Sequence, residues 1–347
     1  MKTEFFLGAN SANGFYSLYD EYCREQGSYL YLIKGGPGGG KSSFMARIAE
    51  EAEKRGYDVE LIHCSGDPDS LDAVYITELG VGWFDATSPH IVEPDAFAVC
   101  SCYVNLGQFC SRTENEDIVI YTQLYKEMYD TAYSYLKAAN CVKSTEIHGL
   151  CSKSAINKAK SRGQSAAIRE LGKKRSGENR VQRRFIRCIS CSGEVVLSDT
   201  VSELCKHIHL LDDRFGLEQY YLEEVLKNAG GESIIVCPSP LNPQRLDALL
   251  FPKKGLAFVA SSLMPDINAY RHIRLDALVS PDALREKRSE IRRKAQLYSQ
   301  LTDTAISYLK RAKEYHDKLE NAYHSCIDFR SLTEFTESEL KRIFENK

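Results

Sequence analysis

The sequence predicts an α/β protein built twice, as two parallel-sheet domains in tandem with helical segments at the end of each. Three observations carry the prediction. A length of 347 residues fits two domains of about 170 rather than one core. Each half runs through apolar strand, turn, helix, strand, short helix and strand in the same order, the pattern of a sheet covered by helices. The third is an internal repeat, which is sought before any motif is assigned.

The repeat is anchored by "LYKEMYDTAYSYLKAA" (Leu124 to Ala139), which returns as "LYSQLTDTAISYLKRA" (Leu297 to Ala312). Working back, Pro68 to Thr87 lies over Pro243 to Ser262, and "GFYSLYD" (Gly14 to Asp20) over "GEVVLSD" (Gly193 to Asp199). The predicted units are residues 1–143 and 183–347, joined by a basic linker at 144–182. Lys153 to Arg187 holds twelve Lys or Arg against two acids, Glu170 and Glu178. It reads as a solvated helix and tether; a grip for nucleic acid or another polyanion, or an arginine reaching the active site, stays open. From Ser280, an N-cap followed by Pro281, charged helices run to the end.

In the first half, "YLYLI" (Tyr29 to Ile33) is of strand length and composition, and Ser42 to Gly56 has helical spacing with Phe44, Ile48 and Ala52 on one face. Between them Gly35, Gly36, Pro37, Gly38, Gly39, Gly40, Lys41 and Ser42 fit GxxxxGK[ST] in the strand–loop–helix setting that gives the pattern meaning. This makes the predicted domains P-loop NTPase-like. Glycines let successive N–H groups close around phosphate oxygens, and the helix offers its positive end. Lys41 is assigned to the β- and γ-phosphates of ATP, the Ser42 hydroxyl to Mg²⁺, and Ser43 to a lesser phosphate contact. A carboxylate at a strand end must complete the magnesium shell, and Asp85 in "LGVGWFDAT" supplies it.

The second half, as aligned, puts Gln219 over Lys41, Tyr220 over Ser42 and Ala260 over Asp85, so the loop chemistry is lost there while the apolar frame stays. Asp72 reads as structural because Asp247 persists opposite it. His63, Asp67, Asp69 and His90 follow strand ends where ligands bind in open α/β sheets, opposite Val236, Asn242, Gln244 and Pro265. Asp67 and His90 lead as general-base or acceptor-site candidates; each is also a plausible turn or capping residue.

"KGGPGGGKSSFMARIAEEAEKRGYDVELIHCSGDPDSLDAV" with "ELGVGWFDATSPH", and "HIHLLDDRFGL" with "KKGLAFVASS", resemble an uncharacterised bacterial family of tandem P-loop ATPase-like proteins, also labelled nucleotide kinase-like. The resemblance spans nearly the whole chain and implies a decayed second loop. Gly39 departs from it, standing where threonine is common.

Three functions follow. The first is a Mg-dependent ATPase with a pseudo-NTPase second half; Ala86, where many ATPases carry glutamate, makes its turnover slow. The second is a small-molecule or nucleotide kinase, with Tyr121 to Ala139 as part of a lid. The third is a nucleotide switch gripping a polyanion. ATP is preferred to GTP because no NKxD motif is present. The cysteines, including the lone Cys188-x-x-Cys191, read as buried or incidental thiols. With no secretory signal or membrane-length apolar run, a cytoplasmic protein is expected.

Overall fold

The computed structural model describes residues 1–23, 29–93, 98–172 and 179–345. The first repeat runs β1 (Lys2–Phe6), a hairpin of β2 (Gly8–Ser11) and β3 (Gly14–Ser17), α1 (Tyr19–Cys23), β4 (Tyr29–Lys34), α2 (Lys41–Lys54), β5 (Val59–His63), β6 (Leu71–Ile76), β7 (Val81–Asp85), β8 (Ser101–Asn105), α3 (Asp117–Ser144) and α4 (Lys153–Leu171). The second runs β9 (Arg180–Arg183), a hairpin of β10 (Arg187–Ser190) and β11 (Gly193–Val196), α5 (Ser198–Leu204), β12 (His207–Asp212), α6 (Leu217–Asn228), β13 (Ser233–Pro238), β14 (Leu246–Phe251), β15 (Leu256–Ala260) and β16 (Arg271–Arg274), then α7 (Pro281–Glu286), α8 (Arg288–His324) and α9 (Phe329–Phe344).

Each repeat builds a six-stranded sheet, ordered β1-β5-β6-β7-β4-β8 in the first and β9-β13-β14-β15-β12-β16 in the second. Strand for strand this is one order. The sheets are mixed, not parallel as expected: β6 and β14 each run against both neighbours. The reason lies in the connections. Seven residues join β5 to β6 and four join β6 to β7, whereas a parallel crossover takes a dozen or more.

The repeats face each other across a pseudo-two-fold axis. Phe6 and Phe185 exchange two backbone hydrogen bonds, both 2.9 Å. The Asn10 side chain donates to the carbonyl of Ile189, its own counterpart, at 2.8 Å. Farther out, Tyr135 and Tyr308 stack with ring centroids 5.7 Å apart. They are the same position of the repeat, so α3 and α8 meet antiparallel as symmetry mates. One core is shared between the sheets, with Phe5, Phe6 and Phe84 on one side and Phe185, Leu210 and Val259 on the other.

The described part of the linker, up to residue 172, is not a solvated tether. It carries α4, whose face of Ala155, Ala159, Gly163, Ala166 and Ala167 is buried against α6 of the second repeat. Small residues allow the close approach: a Cβ on Gly163 would stand 2.4 Å from the Tyr221 carbonyl oxygen. Reciprocally, α9 returns to the first repeat and buries Leu332 and Ile343 among Phe44, Met45 and Ile48 of α2. Both arms start with a side-chain cap, Ser152 Oγ accepting from the Ala155 N–H and Asp328 Oδ1 from the Ser331 N–H, each at 3.1 Å. The repeats therefore exchange helical arms, and the units overlap: the first sheet needs α9 and the second needs α4. β9, from Arg180, already pairs with β13 of the second sheet.

The basic residues between Lys153 and Arg187 divide. Arg183 pairs with Glu21, Arg184 with Glu60, and Arg187 with Asp247 and Glu194. Lys173, Lys174, Arg175 and Glu178 lie outside the described residues. Among the described residues, no helix is long and apolar enough to cross a membrane.

Candidate functional site

The site candidates gather where β4 and β7 end side by side. The two strands run parallel with Ile33 opposite Asp85, so the turn leaving β4 and the carboxylate ending β7 share one sheet edge. Leu30, Leu32 and Ile33 are buried on β4 and Trp83 and Phe84 on β7, which fixes both strand ends in the frame. From Gly35 the chain turns into α2. Gly38 and Gly40 adopt φ of 68° and 74°, a left-handed backbone that favours glycine. Gly39 folds back, its N–H reaching the Gly36 carbonyl at 3.2 Å.

Lys41 opens α2 and curls over this loop. Its Nζ donates to the carbonyls of Gly35 (2.9 Å) and Gly36 (3.0 Å) and lies 3.6 Å from Asp85 Oδ2. The other Asp85 oxygen, Oδ1, accepts from the Thr87 N–H at 2.9 Å and hydroxyl at 2.6 Å, which fixes the carboxylate. Ser42 Oγ accepts the Leu71 N–H at 2.9 Å, tying α2 to the start of β6. That leaves the hydroxyl proton and a lone pair uncommitted. Lys41 and Asp85 thus come together, with Ser42 next along α2 and tied to β6, while no side chain caps the start of α2 at Gly40.

A roof over the loop went unread in the sequence. The end of α8 lies against it: a Cβ on Gly38 would stand 3.1 Å from the Glu320 carbonyl oxygen, and one on Gly36 would sit 3.8 Å from the Tyr323 ring. At Gly40 a Cβ would meet Leu332 of α9 at 2.7 Å. His316 sits beside Glu320 at 3.6 Å. Burial, reinforced by the charges of Lys313 and Lys41, pushes its imidazole below the usual range despite Glu320. The second repeat therefore supplies surface over the first repeat's loop, a contact between segments about 280 positions apart in sequence.

The other candidates separate. Asp67 accepts the Ser70 hydroxyl at 2.9 Å, a turn contact, and its Oδ2 is 3.4 Å from Lys313 of α8. His63 holds the Pro68 carbonyl through Nδ1 at 2.8 Å and faces Glu4 at 3.5 Å. Asp69 is exposed at the tip of the turn. His90 is buried against Asp72, Nε2 to Oδ2 3.4 Å, with Tyr19 donating its hydroxyl to the same oxygen at 2.8 Å. Burial raises the Asp72 carboxyl above its ordinary range, with His90 opposing and Asp85 reinforcing the shift.

In the second repeat the register corrects the alignment around the loop by one position. The buried face Phe44, Met45, Ile48 and Ala52 matches Tyr221, Leu222, Val225 and Ala229. Gln219 Oε1 accepts the Leu246 N–H at 2.8 Å, the service Ser42 performs for Leu71. Gln219 therefore stands at Ser42, and Glu218, not Gln219, at Lys41; gaps in a shortened loop leave such a slip invisible to sequence matching. The opposition of Asp85 and Ala260 holds, since Ala260 pairs with Leu211 as Asp85 does with Ile33. The counterpart of His63 is Pro238, not Val236, because each faces the first residue of the next strand.

The start of α6 is plugged from within. Asp213 accepts the N–H groups of Phe215 at 3.0 Å and Glu218 at 2.8 Å, placing its own carboxylate where a helix N-terminus attracts an anion. Arg245 donates to Glu218 at 3.2 Å. Burial and the neighbouring Asp213 nonetheless push Glu218 up to about 8.

No protein-family model matches this chain, and no curated protein and no solved structure does either.

Proposed function

We propose that the first repeat binds Mg-ATP at Gly35 to Ser43 and hydrolyses it slowly, as a P-loop ATPase whose second repeat is a pseudo-NTPase scaffold. One observation carries the reading: an uncapped helix start behind a glycine turn holds Lys41 3.6 Å from a fixed carboxylate, Asp85, at the end of a parallel neighbour strand. The donor set fits the ligand. Loop N–H groups and Lys41 suit the phosphates, and Ser42 with Asp85 suits magnesium, a hard cation that takes oxygen ligands and keeps much of its water. Bound magnesium would offset phosphate charge; the chain's own residues orient the nucleotide beneath the end of α8. Ala86, buried after Asp85, brings no base to the attacking water, which accounts for slow turnover.

The expected kinship with tandem P-loop ATPase-like proteins belongs to this proposal, resting on the motifs quoted above. A second reading has its own observation. Arg162, Arg169, Arg271 and Arg274 line one cleft between α4 and β16, a surface for a polyanionic partner of a nucleotide-driven switch.

The test is ADP release from Mg-ATP without added acceptor, beside Lys41→Ala. Steady release that the variant lacks supports the ATPase. Binding without release points to phosphoryl transfer onto an acceptor or to the switch, and absence of binding overturns the proposal.

A further inference from the structure

The two repeats neutralise one buried carboxylate in different ways. Asp247 and Asp72 occupy the same position, one residue into β14 and β6. Asp247 is met by the Arg187 guanidinium, which donates Nε to Oδ2 at 3.0 Å and Nη2 to Oδ1 at 3.1 Å. The same Nη2 reaches Ser239 Oγ at 3.1 Å, and Glu194 pairs with Nη1 at 3.1 Å.

In the first repeat each of these positions has changed. Gly8 stands for Arg187 and Phe15 for Glu194, by the pairing of β2 with β3 and of β10 with β11. The Phe15 ring fills the space a Gly8 side chain would enter, 2.6 Å from a Cβ there. Cys64 stands for Ser239, each donating its N–H to the residue just before the next strand, Ser70 and Arg245. His90 joins them from the turn after β7. The guanidinium that bridged Asp247 and Ser239 is gone, and its two partners have become a carboxylate and a thiol with an imidazole beside them.

We propose that Cys64, Asp72 and His90 form a binding site for a divalent transition metal of the zinc class, the first repeat's replacement for the Arg187 cation. One ligand atom from each lies within 4.8 Å of the others, and His90 Nε2 is already 3.4 Å from Asp72 Oδ2. Thiolate and imidazole select zinc over magnesium or calcium, and three protein ligands leave a fourth position for water or substrate. Tyr19, bonded to Asp72 Oδ2, orients the carboxylate from outside. On binding, the Cys64 thiol loses its proton to solvent and the metal takes the sulfur lone pair. This site does not depend on the nucleotide reading.

The experiment strips the full-length protein with a chelator and titrates it with Co²⁺ in the absence of nucleotide. The expected result is stoichiometric uptake with a tetrahedral visible spectrum and a thiolate-to-cobalt band. Cys64→Ser should lose that band, and His90→Ala should weaken affinity by at least about 10–100-fold, the loss known for weaker outer-sphere changes. Thermal melts check that the variants fold; should His90→Ala fail to, Cys64→Ser decides, since it changes one atom. No tetrahedral spectrum, or a thiolate band that survives Cys64→Ser, overturns the proposal.

Discussion

At the end of β4 six residues, five of them glycine, lead into α2; at the end of β12 four residues, one of them glycine, lead into α6. The first turn leaves its helix start uncapped and sets a lysine over it. The second fills the same place with the Asp213 carboxylate and puts Glu218 where the lysine would be. A helix N-terminus attracts negative charge whatever its source. An open start keeps that attraction for a ligand, whereas a plugged one satisfies it internally and serves the fold. The lower pair of positions tells the same story: Asp247 meets a guanidinium, whereas Asp72 meets Tyr19, Cys64 and His90.

The largest effect that would break this comparison is at Arg187. Arg187→Ala strands the buried Asp247 and should cost about 3–5 kcal/mol in denaturant unfolding, while Asp72→Asn, which removes a carboxylate without such a partner, should cost far less. Equal losses would mean that the two carboxylates are neutralised alike. Next is Gly40→Ala, which forces a Cβ onto a φ of 74° and against Leu332. It should weaken Mg-ATP binding by about 10–100-fold, whereas Gly216→Ala, at φ 87°, should strain the second repeat and leave nucleotide binding alone.

Glu218 gives a pH signature. Its folded pKa of about 8 lies above the ordinary 4.5, so the fold favours the protonated form. That contribution is complete below 4.5 and is lost as pH rises through about 8. Glu218→Gln imitates the protonated carboxyl and keeps the Arg245 bond, so its stability should be flat where the wild type declines. At pH near 8 it should be the more stable protein by on the order of 4 kcal/mol. A parallel decline in both proteins would remove Glu218 from the account. The smallest effects are at the exchanged arms: Ser152→Ala and Asp328→Ala should each cost about 1 kcal/mol by loss of an N-cap.

How much of this could be read from sequence depends on whether the signal is local. The glycine turn with its strand and helix is contiguous, so Gly35 to Ser43 stand together as expected. Asp85 stands out at the end of an apolar run, and its replacement by Ala260 in the second repeat strengthens that reading, a comparison that the strand pairing supports. The antiparallel course of β6 was not readable because Leu71, Ala73 and Val74 are buried whichever way the strand runs. Nor was the exchange of arms. The alanine face of α4 announces that something packs there, but α6 of the other repeat presents the same kind of surface as α2. Persistence marked Asp72 as structural without showing its partners. The residue survives in both repeats with different partners, and only the geometry shows that Gly8 and Phe15 replaced the ion pair that justifies Asp247.

On the proposed function the chain holds one nucleotide site, in the first repeat. Calorimetric titration of the full-length protein with Mg-ATP tests it most directly, beside Lys41→Ala and Glu218→Gln. The expected result is a single site, lost in Lys41→Ala and untouched in Glu218→Gln. Two sites per chain, or binding that survives Lys41→Ala, would contradict it.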